Sequence, residues 1–225
     1  MKSLISRIRT GLEAGSYPNE ATVSTSIVVP VLRALGWDDT DPSIMCPQYT
    51  TGRGRVDYAL FPRPGSPAVF VEVKAVGRTS EADLQLFTYA FHEGAQIAVL
   101  TDGRVWSFYL PGQFGSYDER RVYQLDLLER DAVEAERRIH RYLSRDRVMS
   151  GAALADAQAD YHDQRNRREA ECVLPKAWSL LLEEPALTSS KCCGVAPSPC
   201  QGIVRARTQS KRFFGQGPGI ARLRG

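Results

Sequence analysis

The chain has 225 residues, 43% of them hydrophobic and 24% charged, which are the proportions of an ordinary globular protein with enough length for one good-sized core. A net charge of +3 is too small to argue for nucleic acid by itself, but the charge is unevenly spread: from Ala186 onward there are seven Lys or Arg and no Asp or Glu, which leaves the preceding part mildly acidic. Lys2, Arg7 and Arg9 interrupt any apolar run at the N-terminus, so no secretory leader is read there, and no segment approaches the length of a membrane span. The five cysteines form no C-x-x-C pair, which excludes the usual zinc spacings; Cys46 and Cys172 read as buried thiols of a cytoplasmic protein.

In chain order, Asn19 reads as an N-cap, followed by Glu20 and an apolar face of Val23, Ile27, Val28, Val31, Leu32 and Leu35. Pro30 predicts a kink or break in that helix, and Gly36 its end. Strands are then expected over 44–49, weakened by Pro47, over 56–61, and most strongly over 68–76. Pro62, Pro64, Gly65 and Pro67 suit a hairpin between the last two. Residues 80–92 carry a helical apolar face of Leu84, Phe87 and Phe91. Thr101-Asp102-Gly103-Arg104 predicts a hairpin joining strands over 97–100 and 105–110, with one more strand over 122–128. From Asp131 the period becomes helical: one helix through Ile139, Tyr142 and Leu143, a second through Leu154, Ala157 and Tyr161, and a short third begun near Pro175. Residues 186–225, rich in Gly, Ser, Pro and Arg and without an amphipathic period, read as disorder; the abruptness of the change is also what a shifted reading frame would produce.

Two carboxylates and a lysine carry chemistry. Asp57 lies just inside one expected strand, and Glu72 and Lys74 are two apart on the next, hence on one face. Charges there interrupt the apolar run Val69, Val71, Val73, a costly placement unless it serves a purpose. Phosphodiester hydrolysis needs a hard cation on oxygen ligands, and Mg²⁺ takes only one or two carboxylates from a protein. A lysine beside the cation can orient the attacking water and neutralise charge growing on the phosphate. Against this stands the plain alternative of a solvated charged pair. Gln85 and Tyr89, four apart on a helix, share a face, as either site residues or a half-buried helix surface. Glu20 is either a site residue or a first-turn acid favoured by the helix dipole. Arg53 and Arg55, flanking Gly54, are candidates for phosphate contact or for a solvated loop.

The ordered set Glu20, Asp57, Glu72-Val73-Lys74 and Gln85-x-x-x-Tyr89, together with Gly54-Arg55-Val56-Asp57-Tyr58 and Leu100-Thr101-Asp102-Gly103-Arg104-Val105-Trp106, resembles the PD-(D/E)xK nucleases. More narrowly, it looks like the N-terminal nuclease domain of the R subunit of type I restriction–modification systems and stand-alone bacterial proteins similar to it. The resemblance spans roughly residues 15–130. It implies an α/β fold, a restriction-endonuclease-like domain over residues 1–130 with a mixed β-sheet flanked by helices; the helical period after Asp131 and the change of composition after Pro185 add a helical appendage over 131–185 and a basic tail over 186–225. It implies Asp57, Glu72 and Lys74 as catalytic residues, Asp57 and Glu72 as Mg²⁺ ligands, and Glu20, Gln85 and Tyr89 in support, the last two near bound DNA. The activity implied is Mg²⁺-dependent endonucleolytic cleavage of DNA in restriction or defence. The alternative is a nuclease-derived module that binds nucleic acid or a partner without cutting. No G-x-x-x-x-G-K-[ST] occurs, so no ATP site is expected in this chain, and recognition or motor subunits would be separate proteins.

Overall fold

The computed structural model of the protein describes residues 1–52, 54–78 and 84–183; the tail expected to be disordered lies outside them. Six strands form one mixed sheet in sequential order: β1 (Met45–Thr51), β2 (Gly54–Leu60), β3 (Val69–Val73), β4 (Ile97–Thr101), β5 (Val105–Tyr109) and β6 (Arg121–Asp126). All neighbours are antiparallel except β3 and β4, which are parallel. A parallel pair needs a crossover, and the helix α4 (Leu84–Glu93) lies in it. Pro47 does not stop β1; it sits in an edge strand, where a residue without an N–H is tolerated.

Alternation along β3 divides the core. Val69, Val71 and Val73 face one helical layer, while Phe70 faces Leu86, Phe87 and Ala90 of α4 on the other side. The first layer begins with α1 (Lys2–Glu13), a helix the sequence reading did not mark, which contributes Ile5 and Ile8. Next comes a helical run made of α2 (Glu20–Val23), a π-helical stretch at Ser24–Val28 and α3 (Val29–Ala34). Asn19 caps it as expected, its side chain accepting the Thr22 N–H at 2.9 Å. Pro30 has no N–H to give to the preceding turn, and the break it was expected to cause takes the form of this widened stretch, in which Val29 N–H reaches back to the Ser24 carbonyl. Gly36, at φ +91°, ends the run.

The layer is completed by α5 (Ala132–Leu143), the short α6 (Arg145–Met149) and α7 (Ala152–Glu183). Two helices were expected over the last of these stretches; the backbone runs as one, through Pro175. The segment expected to be an appendage gives Ala135, Ile139, Tyr142, Ala157 and Tyr161 to the same core as the sheet, and residues 1–182 form one compact unit. No helix among the described residues is long and apolar enough to cross a membrane.

Trp37, 1% exposed, ties this layer together by donating its indole N–H to the Leu143 carbonyl at 2.7 Å, across more than a hundred residues of sequence. Trp37→Phe keeps an aromatic ring but leaves that buried acceptor unmade, at a cost of about 1–3 kcal/mol. Urea denaturation of the two proteins measures the difference.

Candidate functional site

The antiparallel ladder between β2 and β3 runs Leu60↔Val69, Ala59↔Phe70, Tyr58↔Val71 and then stops. One further step of the same register sets Asp57 opposite Glu72. At that step a side chain replaces the backbone partner: Oδ2 of Asp57 accepts the N–H of Val73 at 2.8 Å. The other oxygen, Oδ1, accepts the side-chain amide of Gln48 at 3.0 Å. Since β1 and β3 flank β2, the carboxylate is held from both sides within the sheet.

Glu72 lies on the α4 side of β3, with Leu100 of β4 as its parallel neighbour. Its Oε1 takes a hydrogen bond from Lys74 Nζ at 2.8 Å. The two side chains are only 14% and 19% exposed, so this is a largely sheltered pair rather than a solvated edge. Lys74 lies one residue past the strand end but is fixed at the backbone, donating its N–H to the Thr101 carbonyl at 2.8 Å. At the end of the β2–β3 ladder, Asp57 thus stands next in register to Glu72, and Lys74 is bonded to Glu72.

The turn after β4 holds the segment that follows Lys74. Asp102 is buried, and its carboxylate accepts three backbone N–H groups: Gly77 at 2.7 Å, Arg104 at 3.0 Å and Val105 at 2.6 Å. The Thr101 hydroxyl accepts Gly103 N–H at 3.0 Å. Gly103 needs to be glycine twice over: its φ is +82°, and a Cβ there would lie 2.7 Å from Ile27 and 2.9 Å from Val23. The Thr-Asp-Gly-Arg sequence, read as a hairpin signal, therefore also anchors the loop after the lysine and seats the Glu20 helix. Arg104 then grips Asp126, its Nε donating at 3.2 and 2.9 Å to the two carboxylate oxygens and its Nη2 at 2.7 Å to Oδ2. Burial opposes ionisation of Asp126, but the bonds from Arg104 and from Leu128 N–H outweigh it, and the carboxyl sits below the usual range.

The supporting residues divide. Tyr89 on α4 is half-buried and lies directly against Gly54 at the start of β2, where any side chain would overlap its ring. Its first role in the fold is to fit α4 over β2. Gln85 is on the first turn of α4, but its side chain lies outside the described residues, as does Arg53. Arg55 is exposed. Glu20 is exposed on the first turn of α2; its helix is tied to β2 by a 2.5 Å hydrogen bond between the hydroxyls of Ser24 and Tyr58, the neighbour of Asp57. Among the described residues no three or more His, Cys, Asp or Glu side chains converge as a metal cage, so Glu20 does not join Asp57 and Glu72 in one. The donors at hand are two carboxylates and no thiol or imidazole, a set suited to a hard cation that keeps most of its water, as Mg²⁺ does.

Gln48 and the triple bond set of Asp102 escaped the sequence reading. Gln48 has no local signal, being joined to Asp57 only through strand register. Asp102 had one, in the polar side chain before a turn glycine. No protein-family model matches the chain, and neither curated proteins nor solved structures give a match to it.

Asp102→Ala leaves three backbone donors without their acceptor, two of them in the segments flanking the site, and is expected to cost about 3 kcal/mol or more. Thermal and urea unfolding check this, with Asp102→Asn, which retains an acceptor oxygen, falling between. Gly54→Ala forces the Tyr89 ring off β2 and is expected to destabilise by about 1–3 kcal/mol, while Gly54→Ala combined with Tyr89→Phe recovers part of the loss.

Proposed function

We propose that the protein is a Mg²⁺-dependent DNA endonuclease of the PD-(D/E)xK, restriction-endonuclease-like kind, acting in restriction or defence. The observation that carries this reading is the end of the β2–β3 ladder, where Asp57 stands next in register to Glu72 and Lys74 donates to Glu72 at 2.8 Å. Asp57 and Glu72 are the residues that would hold Mg²⁺. Bound there, the cation supplies Lewis-acid stabilisation of the phosphate and a more acidic water. Lys74 contributes a compact positive charge beside the carboxylates, where it orients the attacking water and offsets charge developing on the phosphate oxygens. Val73 N–H and Gln48 hold the Asp57 carboxylate, so that it need not reorganise when substrate arrives. Exposed Arg55, two residues before Asp57, suits contact with the DNA backbone. Gln85 and Tyr89 lie on the helix next to the start of β2, in keeping with support of DNA near the site. These residues carry no G-x-x-x-x-G-K-[ST] phosphate loop, so no ATP-driven step is assigned to them.

The test is nicking of supercoiled plasmid with Mg²⁺, with an EDTA control, alongside DNA binding at fixed salt, since phosphate binding varies steeply with salt. Lys74→Ala is expected to lower the cleavage rate by about 10²–10³-fold while changing DNA affinity little, because its action is on the transition state. Asp57→Ala should abolish cleavage and, by deleting a negative charge, leave metal-free DNA binding unchanged or tighter. Equal cutting by wild type and Lys74→Ala would falsify the assignment. DNA binding with no Mg²⁺-dependent cutting would make the protein a non-cutting module.

A further inference from the structure

Gln48 has a backbone that glutamine seldom adopts. Its φ is +51°, and among the described residues no other non-glycine has a positive φ. The left-handed region crowds the Cβ of an L residue, and such strain persists where the surroundings impose it, often at functional positions. Its place is equally specific. The β1–β2 ladder pairs Pro47 with Tyr58 and Tyr49 with Val56; the position between them, Gln48 facing Asp57, makes no backbone pair. Face alternation breaks at the same point on both strands. Cys46 and Tyr49, three apart on β1, both pack on the α4 side, and so do Val56 and Ala59, three apart on β2. An undisturbed strand would put residues three apart on opposite faces. The irregularity is therefore centred on the Gln48–Asp57 pair, and it turns the Gln48 amide onto Oδ1 of Asp57.

We propose that Gln48 is a positioning residue for the cation site: the kink in β1 exists to aim its amide N–H at Asp57, so that this carboxylate, held on its other oxygen by Val73, presents a fixed edge to a divalent cation. The inference rests on the nuclease reading above and deepens it, since Gln48 acts on the site through its hydrogen bond to Asp57. An amide is the right group for the task. It donates to the carboxylate without competing for the cation as a charged ligand, whereas a glutamate at this position would repel Asp57.

Gln48→Gly separates the two roles of the residue. Glycine accepts φ +51° without strain and removes the donor; relief of strain and the added freedom of the unfolded chain oppose each other, so the melting temperature should stay near that of wild type. Mg²⁺ binding, measured by calorimetry on the full chain without DNA, should weaken by about 10–100-fold, the usual effect of removing a partner that orients a metal ligand. Cleavage should then recover in part at raised Mg²⁺. Should Gln48→Gly melt far below wild type, Gln48→Asn carries the test, because asparagine enters the left-handed region readily and its amide stops short of Asp57; it too should bind Mg²⁺ more weakly. A variant that folds and binds Mg²⁺ with the wild-type constant, in a protein that binds and cuts, overturns the role of Gln48 and leaves the nuclease intact. A wild type that binds no Mg²⁺ removes both.

Discussion

Strand pairing in this sheet gives out one residue short of where it could continue, and that shortfall organises the rest of the molecule. A backbone N–H left over at Val73 must find an acceptor, since an unpaired amide inside a sheet is costly. Here the acceptor is the carboxylate of Asp57 rather than a carbonyl of β2. The exchange ends the β2–β3 ladder and sets an ionisable group at that point. Much of what surrounds it fixes the same end of the sheet. Thr101 and Asp102 hold the chain beyond β3, the Tyr89 ring lies on the start of β2, and the helix after Asn19 is seated on Gly103.

Two structural layers flank the sheet. On the side away from α4, the valines of β3 are clamped between strands and helices by an almost fully buried core that draws on α1, α3, α5 and α7. Its long-range ties, such as the Trp37 indole on Leu143, are independent of the site. On the α4 side the core is smaller: Phe87 meets Tyr109 edge to face, both rings pack beside Tyr117, and Phe70 packs against Tyr49. Burial there pushes the phenols of Tyr109 and Tyr117 up and keeps them neutral. Rigid packing on one side and a compact aromatic cluster on the other leave the polar end of the sheet as the place where charges can gather without loosening the fold.

What could be read from sequence followed from local period and local chemistry. The alternation of Val69-Phe70-Val71-Glu72-Val73 gave both the strand and the shared face of Phe70 and Glu72; Asn19 announced its helix by the cap it supplies; the Thr-Asp-Gly-Arg turn joined the right strands. Reading stopped where structure depends on distant partners. The Lys2–Glu13 helix buries only Ile5 and Ile8, too short a stripe to stand out among its charges. The continuity of α7 through Pro175 ran against the usual rule for proline. The helices after Asp131 read as a separate piece because nothing local says that Ile139 and Tyr142 pack under a sheet. Asp57, Glu72 and Lys74 could be nominated by spacing, but their common location rests on strand register, and Gln48 could not be nominated at all.

The irregular edge strand has a consequence for the protein in solution. An outermost strand offers its unpaired backbone to any other extended chain, and proteins blunt such edges with prolines, bulges and twist. At β1, Pro47 removes one donor and the left-handed residue after it breaks the pleat, so a second copy of the sheet finds no even ladder to extend. The residue that holds Asp57 and the proline before it thus also disfavour edge-to-edge pairing. A smoother β1, such as a designer would draw, would align better with β2 and in doing so would offer itself as a template for aggregation.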